Sequence, residues 1–79
     1  MFYTEVALHK DLLGRVAANF VNDTQNIECG VYIQNDSYCV NAKSLLGILT
    51  LHATQGCKIT LLSEKEQSLV QLCKLITEI

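Results

Sequence analysis

Apolar and polar residues alternate from the start of the chain. Phe2, Thr4, Val6 and Leu8 fall on one side of an extended segment, with Tyr3, Glu5 and Ala7 opposite. This period of two predicts a first strand over 2–8. His9, Lys10 and Asp11 form a short polar connection. The period then changes. Leu13, Val16, Ala17, Phe20, Val21 and Thr24 recur at steps of three and four, which predicts a helix over 13–24. The adjacent Ala17 and Ala18 favour it. Gly14 sits near its start, and Asn22, Asp23, Gln25 and Asn26 end it and turn the chain.

Alternation resumes over 27–34. Ile27, Cys29, Val31 and Ile33 share one face, with Glu28, Gly30, Tyr32 and Gln34 opposite. Asn35, Asp36 and Ser37 are turn residues, and 38–42 reads as a further strand, so the pair predicts an antiparallel hairpin. Ser44 stands before the apolar run of Leu45, Leu46, Gly47, Ile48, Leu49, Thr50 and Leu51. Serine in that place is a helix N-cap signal, and the run is long enough for two turns. Gln55 and Gly56 break it. Cys57, Ile59 and Leu61 alternate with Lys58 and Thr60, predicting a fourth strand over 57–61. Ser63-Glu64-Lys65-Glu66 fits a capping box. Leu69, Leu72, Cys73, Ile76 and Ile79 then continue at helical spacing.

The predicted order is β-α-β-β-α-β-α. A strand with one apolar face needs helices on that face. The pattern therefore predicts an α/β (α+β) open-faced sandwich, with four mainly antiparallel strands covered on one face by three helices. A chain of 79 residues has room for one domain over 1–79. A chain of this size buries only about 60% of the surface its unfolded form exposes.

Composition narrows the functional classes. Hydrophobic residues are 49% and charged residues 18%, too apolar a balance for a disordered chain. No apolar run approaches the roughly 18 residues that span a bilayer. Eight acids against six bases give a net charge of −2, which argues against direct nucleic-acid binding and anionic membrane surfaces. Cys29, Cys39, Cys57 and Cys73 contain no C-x-x-C pair, so no zinc site is expected. The N-terminus carries no basic region followed by an apolar stretch, so no signal peptide is read. The cysteines are expected to be reduced, buried, small apolar residues of a cytoplasmic protein. There is no proline.

The segment Val40-Asn41-Ala42-Lys43-Ser44-Leu45-Leu46-Gly47-Ile48-Leu49-Thr50-Leu51 resembles the regulatory-serine segment of HPr, the histidine-containing phosphocarrier of the bacterial sugar phosphotransferase system. The resemblance points to the catabolite-repression HPr branch of Gram-positive bacteria. Arg15-Val16-Ala17-Ala18-Asn19-Phe20-Val21 resembles the start of the family's first helix. Gln55-Gly56 and Glu66-Gln67 agree in order. The resemblance runs over essentially the whole chain.

One departure bears on chemistry. The family's first helix follows a G-[LI]-H-x-R-P segment, and its histidine accepts the phosphoryl group. Here Asp11-Leu12-Leu13-Gly14-Arg15-Val16 aligns with it. Leu13 stands in the histidine position, and leucine has no lone pair with which to form a phosphoramidate. Val16 stands where proline would preorganise the helix start. The connection before this helix is about two residues shorter than the family's. Arg15 is retained. It reads either as an anchor for an anion or a partner carboxylate, or as an ordinary solvated arginine.

By the same resemblance Ser44 is the residue phosphorylated by HPr kinase/phosphorylase with ATP. Leu45, Leu46 and Leu49 belong to the face that docks on a LacI-type catabolite control protein. Arg15 and Lys43 are candidate polar contacts there, although for Lys43 solvation is the plainer expectation. Some of the leucines must be core, because the helix is short and strongly apolar. A phosphate on Ser44 adds a charge of about −1.5 to −2. No catalytic activity, cofactor or metal is implied.

Two other functions remain compatible with these residues. One is a phosphocarrier using His9, which lies just before the first helix, although an exposed polar residue at a strand end is the simpler reading. The other is an interaction module that has lost both phosphorylation roles. His52 ends the second helix, where a cation favours the dipole.

Overall fold

The computed structural model describes residues 1–79. Phe2–Ala7 (β1) leads into Gly14–Thr24 (α1). Val31–Asn35 (β2) and Tyr38–Asn41 (β3) follow, then Leu45–Leu51 (α2), Lys58–Ser63 (β4) and Glu66–Thr77 (α3). The order is the one predicted from periodicity. In space the strands stand β1-β4-β2-β3, and every neighbouring pair is antiparallel.

The register separates two faces. Thr4, Leu61, Ile33 and Val40 align across the sheet, as do Val6 with Ile59, and Phe2 with Ser63 and Val31. These rows face the helices, and Val31, Ile33, Ile59, Leu61 and Ser63 are buried. The alternate rows are Tyr3, Leu62, Tyr32 and Asn41, then Glu5, Thr60, Gln34 and Cys39. None of these is buried, so this face of the sheet is open. Ala17, Phe20 and Val21 of α1, Ile48 and Leu51 of α2, and Leu72 and Ile76 of α3 close the core. Apart from Ala17, each of these side chains contributes about 1.5–3 kcal/mol by leaving water.

The structure corrects several local expectations. β2 starts at Val31, four residues later than the alternation predicted. Ile27 is buried, but its N–H bonds back to Thr24 O at 3.0 Å, so it closes the turn after α1. The capping box does not form. Ser63 is the last residue of β4, fully buried and paired with Phe2 and Val31. Its hydroxyl accepts from Lys65 N at 3.2 Å. The N-cap of α3 is Lys65, with no side-chain cap, and Glu66 is the first helical residue.

All four cysteines are free thiols, but none is fully buried and Cys39 is exposed. Two of them have polar side-chain neighbours. Cys29 Sγ lies 3.5 Å from Ser63 Oγ, and Cys57 Sγ donates to Asn35 Oδ1 at 3.4 Å. Cys39 points to the open face of the sheet. Leu12, outside the predicted apolar stripe, is fully buried. No helix is long and apolar enough to cross a membrane.

Candidate functional site

Residues 41–44 turn the chain from β3 into α2, and their backbone is held throughout. Ala42 N donates to Val31 O at 2.9 Å, and Ser44 N to Asn41 O at 3.0 Å. Lys43 N donates to Asn41 Oδ1 at 2.8 Å. Two donors come from the C-terminal end of α1. Thr24 Oγ1 reaches Ala42 O at 3.0 Å, and Gln25 Nε2 reaches Lys43 O at 2.8 Å.

Ser44 is the N-cap of α2 in extended conformation, φ −105° and ψ 114°. Its hydroxyl oxygen accepts from Gly47 N at 3.2 Å. This bond satisfies one of the free donors of the helix start. Gly47 permits the close approach. A Cβ there would lie 3.2 Å from Val40 Cβ and 3.4 Å from Ser44 Cβ, so β3 and the head of α2 would have to move apart.

α2 divides its apolar residues between two duties. Ile48 is 0% exposed and Leu51 6%, whereas Leu45 is 41%, Leu46 77% and Leu49 38% exposed. Two side chains anchor the helix to the core, and three form an apolar face beginning next to Ser44. The helix ends at His52, an exposed residue in left-handed conformation with φ 50°.

Arg15 lies elsewhere. Leu12 N donates to Ala53 O at 2.9 Å, and Asp11 Oδ1 accepts from Gln55 N at 2.7 Å. The start of α1 thus sits by the C-terminal end of α2, while Thr24 and Gln25 sit by its N-terminal end. The two helices run antiparallel. Arg15, exposed in the first turn of α1, and Ser44 mark opposite ends of the α1–α2 pair. The leucine face occupies the interval.

Leu13 is the half-buried N-cap of α1 and offers no side-chain hydrogen bond. Gly14 follows with φ +55° and nothing within 4 Å of a would-be Cβ. Conformation, not space, favours glycine at this point. His9 is exposed just past the end of β1.

Lys43 differs from the solvated lysine expected. It is half-buried, and its ammonium donates to the carbonyl of Ile27. Thr24 belongs to the helical stripe, but nothing in that pattern shows its bond to Ala42, and Gln25 and Asn41 carry no signal in it. The bonds of Thr24 to Ala42 and of Gln25 to Lys43 join residues 18 apart in sequence.

The surface grooves of the molecule lie along α1 and α3, by Val16, Asp23, Leu75 and Glu78, between β1 and α3, by Thr4, Leu69, Val70 and Cys73, and between the α1–β2 connection and the start of α3, by Glu28 and Ser68. Ser44 and the exposed leucines line none of them. No group of three or more His, Cys, Asp or Glu side chains is placed to hold a metal ion.

Comparison with known proteins gives this arrangement a family. The family model described as the PTS HPr component phosphorylation site matches residues 3–78. The HPr-like protein Crh of Bacillus subtilis (strain 168) is 35% identical over 71 residues, which cover 90% of this chain and 84% of that protein. The crystal structure of a phosphocarrier protein HPr from Bacillus anthracis str. Ames superposes with a TM-score of 0.88 at 30% identity, covering 96% of each chain. The crystal structure of Bacillus subtilis Crh gives a TM-score of 0.76 at 32% identity, covering 95% of this chain and 90% of that one. The chain belongs to the HPr family, as a Crh-like member of it.

Proposed function

We propose that this protein is a non-catalytic regulatory adaptor of carbon catabolite control in the cytoplasm. It is phosphorylated at Ser44 by HPr kinase/phosphorylase with ATP. It then docks on a LacI-type catabolite control protein through Leu45, Leu46 and Leu49, with Arg15 as a second polar anchor. It does not relay a phosphoryl group through the family's usual position, because Leu13 stands there and has no nucleophilic lone pair.

One observation carries this reading. Ser44 heads a helix whose outward leucines remain exposed, Leu46 to 77%. Phosphate on Ser44 adds a charge of about −1.5 to −2 beside that apolar face. Charge then supplies the switch and apolar area supplies affinity. Because Ser44 already stands at the helix boundary with its main chain fully bonded, the switch needs no refolding.

Incubation with ATP and a bifunctional HPr kinase is expected to add one phosphate to the wild type and none to Ser44→Ala. Mass spectrometry reads the outcome. An unlabelled wild type would sink this reading. An acid-labile label from phosphoenolpyruvate and enzyme I that disappears in His9→Ala would replace it with a phosphocarrier role.

A further inference from the structure

We propose that Lys43 is a positioning residue for phosphorylation of Ser44. It acts through the Ile27 carbonyl, not by touching the kinase or the phosphate. This inference rests on the reading of Ser44 as the phosphorylated residue.

Three contacts fix Lys43 from three directions. Its ammonium donates to Ile27 O, in the connection between α1 and β2. Its N–H donates to Asn41 Oδ1 at 2.8 Å, and its carbonyl accepts from Gln25 Nε2 at 2.8 Å. Main chain and side chain of one residue are thereby tied to β3, to α1 and to the α1–β2 connection. Ser44 is the next residue, and its N–H closes the turn on Asn41 O at 3.0 Å. Lys43 occupies the turn between them, so the contacts that hold Lys43 also set where the Ser44 hydroxyl stands.

That placement matters for the chemistry. The Ser44 oxygen must form a bond to the γ-phosphorus of ATP as the bond to the bridging oxygen breaks. ADP leaves with that electron pair, and the hydroxyl proton passes to a base on the kinase. Such a transfer depends on in-line positioning of the attacking oxygen. Misplacement by about 1 Å costs on the order of 10²-fold in rate. Ser44 Oγ accepts its bond from Gly47 N, so its own proton is left free for removal.

The test is steady-state phosphorylation, by a bifunctional HPr kinase with ATP, of the wild type, Lys43→Ala, Lys43→Arg, Gln25→Ala and the Lys43→Ala/Gln25→Ala double variant. Lys43→Ala is expected to lower kcat about tenfold, with KM changed by less than about twofold. Lys43→Arg is expected to restore most of the rate, because a guanidinium donates to the same carbonyl. Gln25→Ala should also lower kcat, and the double variant should lose less than the product of the two single losses. Thermal melting checks that each variant is folded. Should Lys43→Ala not fold, Lys43→Arg and Gln25→Ala carry the comparison.

A wild-type kcat in Lys43→Ala, or in Gln25→Ala where that variant must stand in, overturns the inference. So does a KM raised in Lys43→Ala whose difference from the wild type closes at high salt because the wild-type KM rises, which is the signature of a direct charge contact. A wild type that takes no label overturns the reading of Ser44 and this inference with it. A labelled wild type matched by Lys43→Ala overturns this inference alone.

Discussion

Cys29 stands half-buried beside the start of α3, where its sulfur meets the hydroxyls of Ser63 and Ser68. Those two hydrogen bonds, Ser63 first, hold its pKa below the ordinary thiol value, with the Lys65 main chain adding to them. Burial and the Glu64 carboxylate oppose the shift without cancelling it. The geometry explains why Ser63 leads. Its oxygen accepts from Lys65 N, so its proton is free to donate to sulfur. The sign of the linkage follows. Between the lowered folded-state value and the ordinary unfolded-state value, the unfolded chain binds more protons. Stability from this thiol is therefore absent at low pH, grows across that window and persists above it. In a variant keeping only Cys29, alkylation by iodoacetamide should reach half its maximal rate below the pH of an ordinary thiol. Ser63→Ala should move that midpoint upward. A midpoint at the ordinary thiol value in the Cys29-only protein would contradict the geometry.

The elements differ in how much of them the sequence reveals. α2 is apolar nearly all round, so periodicity cannot divide its inward from its outward side chains. Packing decides, with Ile48 and Leu51 inward and Leu45, Leu46 and Leu49 outward. Ile48→Ala should cost about 2–5 kcal/mol, a large share of the stability of so small a domain. Leu46→Ala should stay within about 0.5 kcal/mol. Urea unfolding of both checks the division, and equal losses would refute it. Elsewhere the change of period from two to 3.6 and back, with the turn residues of the hairpin, located the other six elements. The boundaries that shifted did so through tertiary partners. Ladder pairing begins only at Val31, because Glu64 takes up Gly30 from both sides, its main-chain N–H bonding Gly30 O and its carboxylate accepting from Gly30 N. Ser63 is held in the sheet by Phe2 and Val31, which moves the start of α3 past the expected capping box. The site divides in the same way. The serine N-cap and the apolar run after it are local patterns. The anchors from Thr24, Gln25 and Lys43 are not, because each joins segments that only the fold brings together.

At the scale of the molecule, antiparallel packing of α1 and α2 separates the two polar groups of the proposed docking face. α2 has seven residues and is about 10 Å long. Ser44 caps its head, and Arg15 stands by its tail. A phosphate on Ser44 and the Arg15 guanidinium therefore do not neutralise each other. With Ser44 phosphorylated, the proposed docking face would present an anion, an apolar middle and a cation in sequence. A partner matching all three would gain an orientation as well as an affinity. The separation has a measurable consequence. Contributions from sites more than about 7–10 Å apart, with no shared partner, add to within about 0.3–0.5 kcal/mol. Binding to the LacI-type repressor should weaken on loss of the phosphate and on Arg15→Ala, and the two losses should sum in the unphosphorylated Arg15→Ala protein. Titration calorimetry on the four species closes the cycle. A coupling above about 1 kcal/mol would mean that Arg15 and the phosphate meet in the complex. The two ends of the α1–α2 pair would then not be the independent anchors proposed for them.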